Sequence, residues 1–202
     1  MAKTKLRLIN NSNDANNSQV VIFQKIITEE TEEHSIACHV VNNLRPGDSC
    51  KIEYWREYKV GCSDFQGNLT PTLKVIPGQR YCMVQDSSGN ILEQNGKSCK
   101  ATEIEIVNKL LRETISAIIY NWMGNMLFVK TGISPGLKAT FEFKTPLYIG
   151  VLEDQIVEGQ KMDSGIISSI TTELSLEGIA SADIVMTNKG PSSFDFRLEN
   201  SI

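Results

Sequence analysis

The sequence predicts an all-β protein of two tandem antiparallel β-sandwich repeats, an N-terminal repeat over residues 1–100 and a C-terminal repeat over 101–202. Three observations carry this. Short runs of alternating apolar residues are broken repeatedly by Pro, Gly, Asn and Asp turn signals. Segments of the first half recur in the second: Leu6-Arg7-Leu8-Ile9-Asn10 as Ile104-Glu105-Ile106-Val107-Asn108, and Leu44-Arg45-Pro46-Gly47 as Ile133-Ser134-Pro135-Gly136. Lys51-Ile52-Glu53-Tyr54 then recurs as Thr140-Phe141-Glu142-Phe143, and Tyr58 matches Tyr148. Finally, helical spacing occurs only at Ile104, Val107, Leu110 and Leu111, and the counterpart of that segment, residues 6–10, is too short for a helix.

Residues 5–9 alternate and stop at the polar turn Asn10-Asn11-Ser12-Asn13-Asp14. Residues 19–26 form a β-branched run suited to a strand buried on both sides. A charged connector over 28–34 leads to an apolar strand at 35–41. Arg45-Pro46-Gly47-Asp48 is a turn, followed by strands at 50–55, 58–62, 70–75, 80–84 and 91–92. In the second half the strand candidates are 103–107, 114–122, 126–130, 137–143, 147–152, 171–176, 182–186 and 194–198, with Met123-Gly124-Asn125 as a tight turn.

Charged residues are 22% and hydrophobic residues 41% of the chain, which suits a folded globular protein. The net charge is −4. The first half carries 12 basic against 11 acidic residues and the second 8 against 13, so neither half offers the cationic stripe that nucleic acid requires. No secretory signal or membrane-spanning apolar run is visible, so the expected setting is the cytoplasm, unless the chain leaves by a route that needs no such signal. All five cysteines (Cys38, Cys50, Cys62, Cys82 and Cys99) lie in the first half, and an odd number without a CxxC pair predicts free structural thiols.

Chemistry-bearing motifs are sparse. There is no GxSxG elbow, phosphate loop or EF-hand pattern. The two histidines are His34, in the acidic connector, and His39, beside Cys38. Adjacent strand residues face opposite ways, so Cys38 and His39 do not readily share a metal site or a nucleophile–base pair. No metal or cofactor is expected, and Glu29-Glu30, Glu32-Glu33 and Glu153-Asp154 read as solvated charge or caps. The candidate contact residues are exposed aromatics and a long loop. Tyr54-Trp55-Arg56 and Tyr120-Asn121-Trp122 bring Tyr and Trp together, and one of each pair should face outward. The stretch 155–170 is longer than its counterpart near 65–69 and carries Lys161 and Asp163. Tyr54, Trp55, Arg56, Trp122, Lys161 and Asp163 are therefore the expected contacts.

Asn11-Ser12, the run Asn17-Ser18-Gln19-Val20-Val21-Ile22-Phe23-Gln24-Lys25 and the segment from Thr172-Glu173-Leu174 to Val185-Met186-Thr187 resemble a family of uncharacterised bacterial proteins of about this length. That resemblance implies a shared fold and transfers no activity. In general texture the chain is also similar to the aegerolysins, single-domain β-sandwich proteins that bind membrane lipids. The resulting expectation is a non-catalytic binding or self-assembly protein contacting a protein partner or its own copies. The alternatives are a lipid- or glycan-binding module and an enzyme centred on His39.

Overall fold

The structure is a computed structural model and describes residues 3–14, 18–28, 33–55, 57–144, 146–152, 155–162, 172–190 and 193–202. Its regular elements are all strands: β1 (Lys3–Asn10), β2 (Gln19–Thr28), β3 (Glu33–Val41), β4 (Ser49–Trp55), β5 (Tyr58–Ser63), β6 (Leu73–Lys74), β7 (Gln79–Asp86), β8 (Gly89–Lys97), β9 (Glu103–Asn108), β10 (Ile115–Asn121), β11 (Met126–Ile133), β12 (Lys138–Phe143), β13 (Leu147–Leu152), β14 (Lys161–Met162), β15 (Thr172–Leu174), β16 (Ser181–Gly190) and β17 (Ser193–Glu199). The all-β class is as expected, and 103–108 is a strand despite its helical spacing. Two boundaries differ from the sequence reading. The strand expected at 70–75 shrinks to Leu73–Lys74, since Pro71 has no N–H to give a ladder. Of the expected connector, Glu33 and His34 belong to β3.

The chain forms two compact units, and each draws on both sequence halves. The first comprises Met1–Lys25, His34–Arg56 and Lys144–Ile202; the second comprises Ile26–Glu33 and Glu57–Phe143. The boundary expected at residue 100 falls inside the second unit.

In the first unit one sheet has the order β17-β16-β1-β4, with β1 parallel to β16 and antiparallel to β4. The other has the order β14-β3-β2-β13-β15. The alternation of β1 sends Leu6 and Leu8 inward, where they join Val20, Ile22, Ile52, Ile149, Ile184 and Phe196 in one core. Strand β2 is apolar on both faces, and its other face packs Val21 and Phe23 against Ala37, Leu152, Ile156 and Met162.

The second unit repeats the pattern with different strands. Its sheets have the orders β8-β7-β9-β12 and β11-β10-β5-β6, with β9 parallel to β7 and antiparallel to β12. The last residues of β2, Ile26–Thr28, pair with β12. Tyr81, Ile104, Ile106, Ile115, Ile119 and Phe141 are fully buried there.

A buried asparagine organises one end of each unit, with matching hydrogen bonds. Asn10 Nδ2 donates to the Leu44 carbonyl at 2.7 Å, and Asn108 Nδ2 donates to the Ile133 carbonyl at 2.8 Å. The Asn10 Oδ1 accepts from Ser12 N and the Asn108 Oδ1 from Leu110 N. Gly47 N donates to the Asn10 carbonyl, and Gly136 N to the Asn108 carbonyl. Asn11 N reaches Met186 O on β16, and Lys109 N reaches Met83 O on β7.

Candidate functional site

The outer face of the β1 sheet holds an open groove of about 460 Å³ in the first unit. The period of two that buries Leu6 and Leu8 turns Lys5 and Arg7 outward. The antiparallel register places Glu53 opposite Lys5 and Lys51 opposite Arg7. On the other side, the parallel register places Ser181 opposite Lys5 and Asp183 opposite Arg7. Residues 200–202 fold back along β16, with Ile202 N donating to the Ser181 carbonyl at 2.9 Å, and Asn200 and Ile202 form one wall.

The electrostatics of the groove are asymmetric. Arg7 binds Asp183 through two bonds, Nε to Oδ1 at 2.8 Å and Nη2 to Oδ2 at 2.6 Å. Asn200 Nδ2 adds a bond to Oδ2 at 2.8 Å. The Arg7 guanidinium, followed by Asn200, holds the Asp183 carboxyl below the usual carboxylate range. Glu53 is taken by Lys3 at 2.6 Å, and Lys3 also lies 5.3 Å from the Trp55 ring centroid. Lys5 and Lys51 are exposed and have no acidic partner among the described residues. Three basic and two acidic side chains thus line the groove, and the two side chains without an opposite partner are both basic.

The expected contact residues are divided between the two units. Tyr54 is 3% exposed and is a core residue whose hydroxyl donates to Gln24 Oε1 at 3.3 Å. Trp55 is partly buried at the end of β4 in the first unit. Trp122, 41% exposed, sits in the turn after β10 in the second. In both Tyr/Trp pairs the Tyr is buried and the Trp is the more exposed partner. Lys161 is exposed on β14, opposite Ile36 of β3. Arg56 and Asp163 lie outside the described residues, as do Glu153 and Asp154. Lys5, Arg7, Lys51 and Asp183 were missed because they are separated by up to about 180 residues and carry no motif. The one available signal was the outward position of Lys5 and Arg7 in an alternating strand.

The second unit carries a buried charge cluster on the matching strand. Glu105 is fully buried; its Oε1 pairs with Lys138 Nζ and its Oε2 with Arg80 Nε, each at 2.6 Å. Burial alone would push this carboxyl up, but hydrogen bonds from Lys138, Cys99 and Arg80 outweigh it and hold it at about 2. Cys99, Glu103 and Glu105 offer ligand atoms within 4.8 Å of one another. A metal ion there would have to displace Lys138 and Arg80 from Glu105, and Lys100 from its place 3.6 Å from Glu103, so the cluster reads as an ion-pair network.

Desolvation pushes the Cys38 thiol up to about 12, with Glu158 nearby adding to the rise against a backbone hydrogen bond from Gln24, so it stays protonated at neutral pH. His39 Nδ1 lies 3.4 Å from Glu158 Oε1. Burial also raises the Cys62 thiol to about 12, and all five cysteines are unpaired. Among the described residues no helix is long and apolar enough to cross a membrane. No protein-family model matches the chain, and no curated protein or solved structure shows significant similarity to it.

Proposed function

We propose that the chain is a non-catalytic binding protein on a duplicated β-sandwich scaffold, and that it binds an anionic ligand in the β1 groove. The observation that carries this is the groove itself: an open concavity whose unpaired side-chain charges, Lys5 and Lys51, are both cationic. Rigid strands position it, so the charges are preorganised. The test is a thermal-shift and calorimetry screen with inorganic phosphate, dicarboxylates, anionic glycans and an acidic peptide. At least one anion should raise the unfolding midpoint, and Lys5→Glu/Lys51→Glu should abolish that shift. A shift that survives in the double variant, or none with any anion, would exclude the groove.

One arrangement favours a second reading, contact with a lipid surface. The strand registers put the loops 64–69, 109–114 and 134–137 at one end of the second unit. These loops expose Phe65 (62%), Leu69 (61%), Leu111 (90%) and Leu137 (59%). Lys109 and Arg112 flank Leu111, and both are exposed. Exposed apolar tips, one of them flanked by cations, suit the headgroup boundary of an anionic bilayer. Flotation with phosphatidylserine-containing vesicles should recover the protein, and Leu111→Asp/Leu137→Asp should release it. Equal recovery of the two proteins would end this reading.

A further inference from the structure

We propose that the two halves of the chain are made to recognise each other and not themselves, and that a pair of ion pairs of opposite polarity encodes this choice of partner. Residues 1–100 contribute β1–β8 and residues 101–202 contribute β9–β17. The first unit joins β1–β4 to β13–β17, and the second joins β5–β8 to β9–β12, apart from the end of β2. Each half therefore lends its early strands to one unit and its later strands to the other.

The decisive contacts lie on the parallel pairs β1–β16 and β9–β7, which hold the same place in the two units. Arg7 on β1 faces Asp183 on β16, while Glu105 on β9 faces Arg80 on β7. Arg7 and Glu105 occupy matching positions in Leu6-Arg7-Leu8 and Ile104-Glu105-Ile106, with the sign reversed.

Suppose instead that each half closed on itself, or paired with the same half of a second copy. Then β1 would lie along β7, with Arg7 against Arg80, and β9 along β16, with Glu105 against Asp183. Both contacts would be like-charged. The carboxylate clash would be the more severe, because Glu105 is fully buried. Lys138 belongs to the same half as Glu105 and satisfies one oxygen in either arrangement. The other oxygen depends on whichever strand lies beyond β9. The apolar neighbours do not discriminate in this way, since Leu6, Leu8, Ile104 and Ile106 are all aliphatic. Short links act in the same direction: two residues separate β4 from β5 and three separate β12 from β13.

The test uses the full chain with a protease site inserted between Lys100 and Ala101. Each protein is unfolded, refolded, cut and passed over a native sizing column. The parent should elute as one particle holding both pieces in equal amounts. Arg7→Glu/Asp183→Arg makes every contact attractive in both arrangements. Its refolded product should release separate halves at a level on the order of tenfold or more above the parent. Arg7→Gln/Asp183→Asn removes one of the two ion pairs without reversing charge and should give an intermediate release, which decides the matter should the reversed variant not fold. Refolded variants that release no more than the parent would overturn the proposal, as would a cut parent that falls apart into two folded halves.

Discussion

Asn10 and Asn108 each close a strand, and each joins a neighbouring loop to it from a buried position. An alanine at either site leaves carbonyl and amide partners buried without replacement, a loss of about 1–3 kcal/mol per stranded group. Asn108→Ala should cost the more, because its third partner is the Glu113 carbonyl at 2.7 Å, whereas the third partner of Asn10 is the Ser12 hydroxyl, which can turn to another acceptor. Urea titration of both variants checks the order, and equal midpoints with the parent would rule out the anchoring role. Glu105 makes a second prediction at this scale. Its folded pKa of about 2 lies below the ordinary value of 4.5, so the group stabilises the fold above about pH 4.5 and loses that contribution as pH falls towards 2. The shift corresponds to about 3 kcal/mol. Stability measured from pH 6 down to pH 2 should fall across that window in the parent (roughly the range that linkage dictates) and fall less in Glu105→Gln, which is weaker throughout at neutral pH.

At the scale of elements, the turns before β4 and β12 use the same device. Gly47 and Gly136 have φ of 87° and 80°, and nothing lies within 4 Å of where a Cβ would be. An alanine at either position meets backbone strain without a clash, so Gly47→Ala and Gly136→Ala should each lose about 1–2 kcal/mol. A thermal midpoint unchanged in both would contradict this. These turns, and the strands they join, were legible in the sequence because Pro-Gly signals and period-two alternation are local. Strand 147–152 was placed to the residue, and 103–108 within one. The partner of each strand was not legible. Alternation tells which residues of β1 face inward, yet it is silent on whether β7 or β16 lies alongside, since both are apolar at the same positions. The groove was hidden for the same reason: Lys5, Lys51 and Asp183 meet only once β1 has β4 and β16 as neighbours. Within each aromatic pair the tyrosine is buried and the tryptophan more exposed, as expected, which leaves Tyr54 in the core.

At the scale of the whole molecule, the connection between sequence halves and compact units sets what can be cut away. A chain ending at Lys100 would supply β1–β4 without β13–β17, and β5–β8 without β9–β12. In the first case Leu6, Leu8, Val20 and Ile22 would lose Ile149, Ile184 and Phe196 from their shared core. In the second, β7 would lose β9, and Arg80 its carboxylate. Neither sheet pair could then be completed within one molecule, since the strands that remain are those whose charges oppose each other. The expected result is that residues 1–100 and residues 101–202, expressed separately, each give poorly dispersed amide spectra and broad sizing profiles. Expressed together from one cell, they should form a one-to-one complex whose spectrum overlays that of the intact chain. Well-dispersed spectra from the isolated halves would mean that each half folds by itself, and the division of strands between the two units would then have no energetic basis.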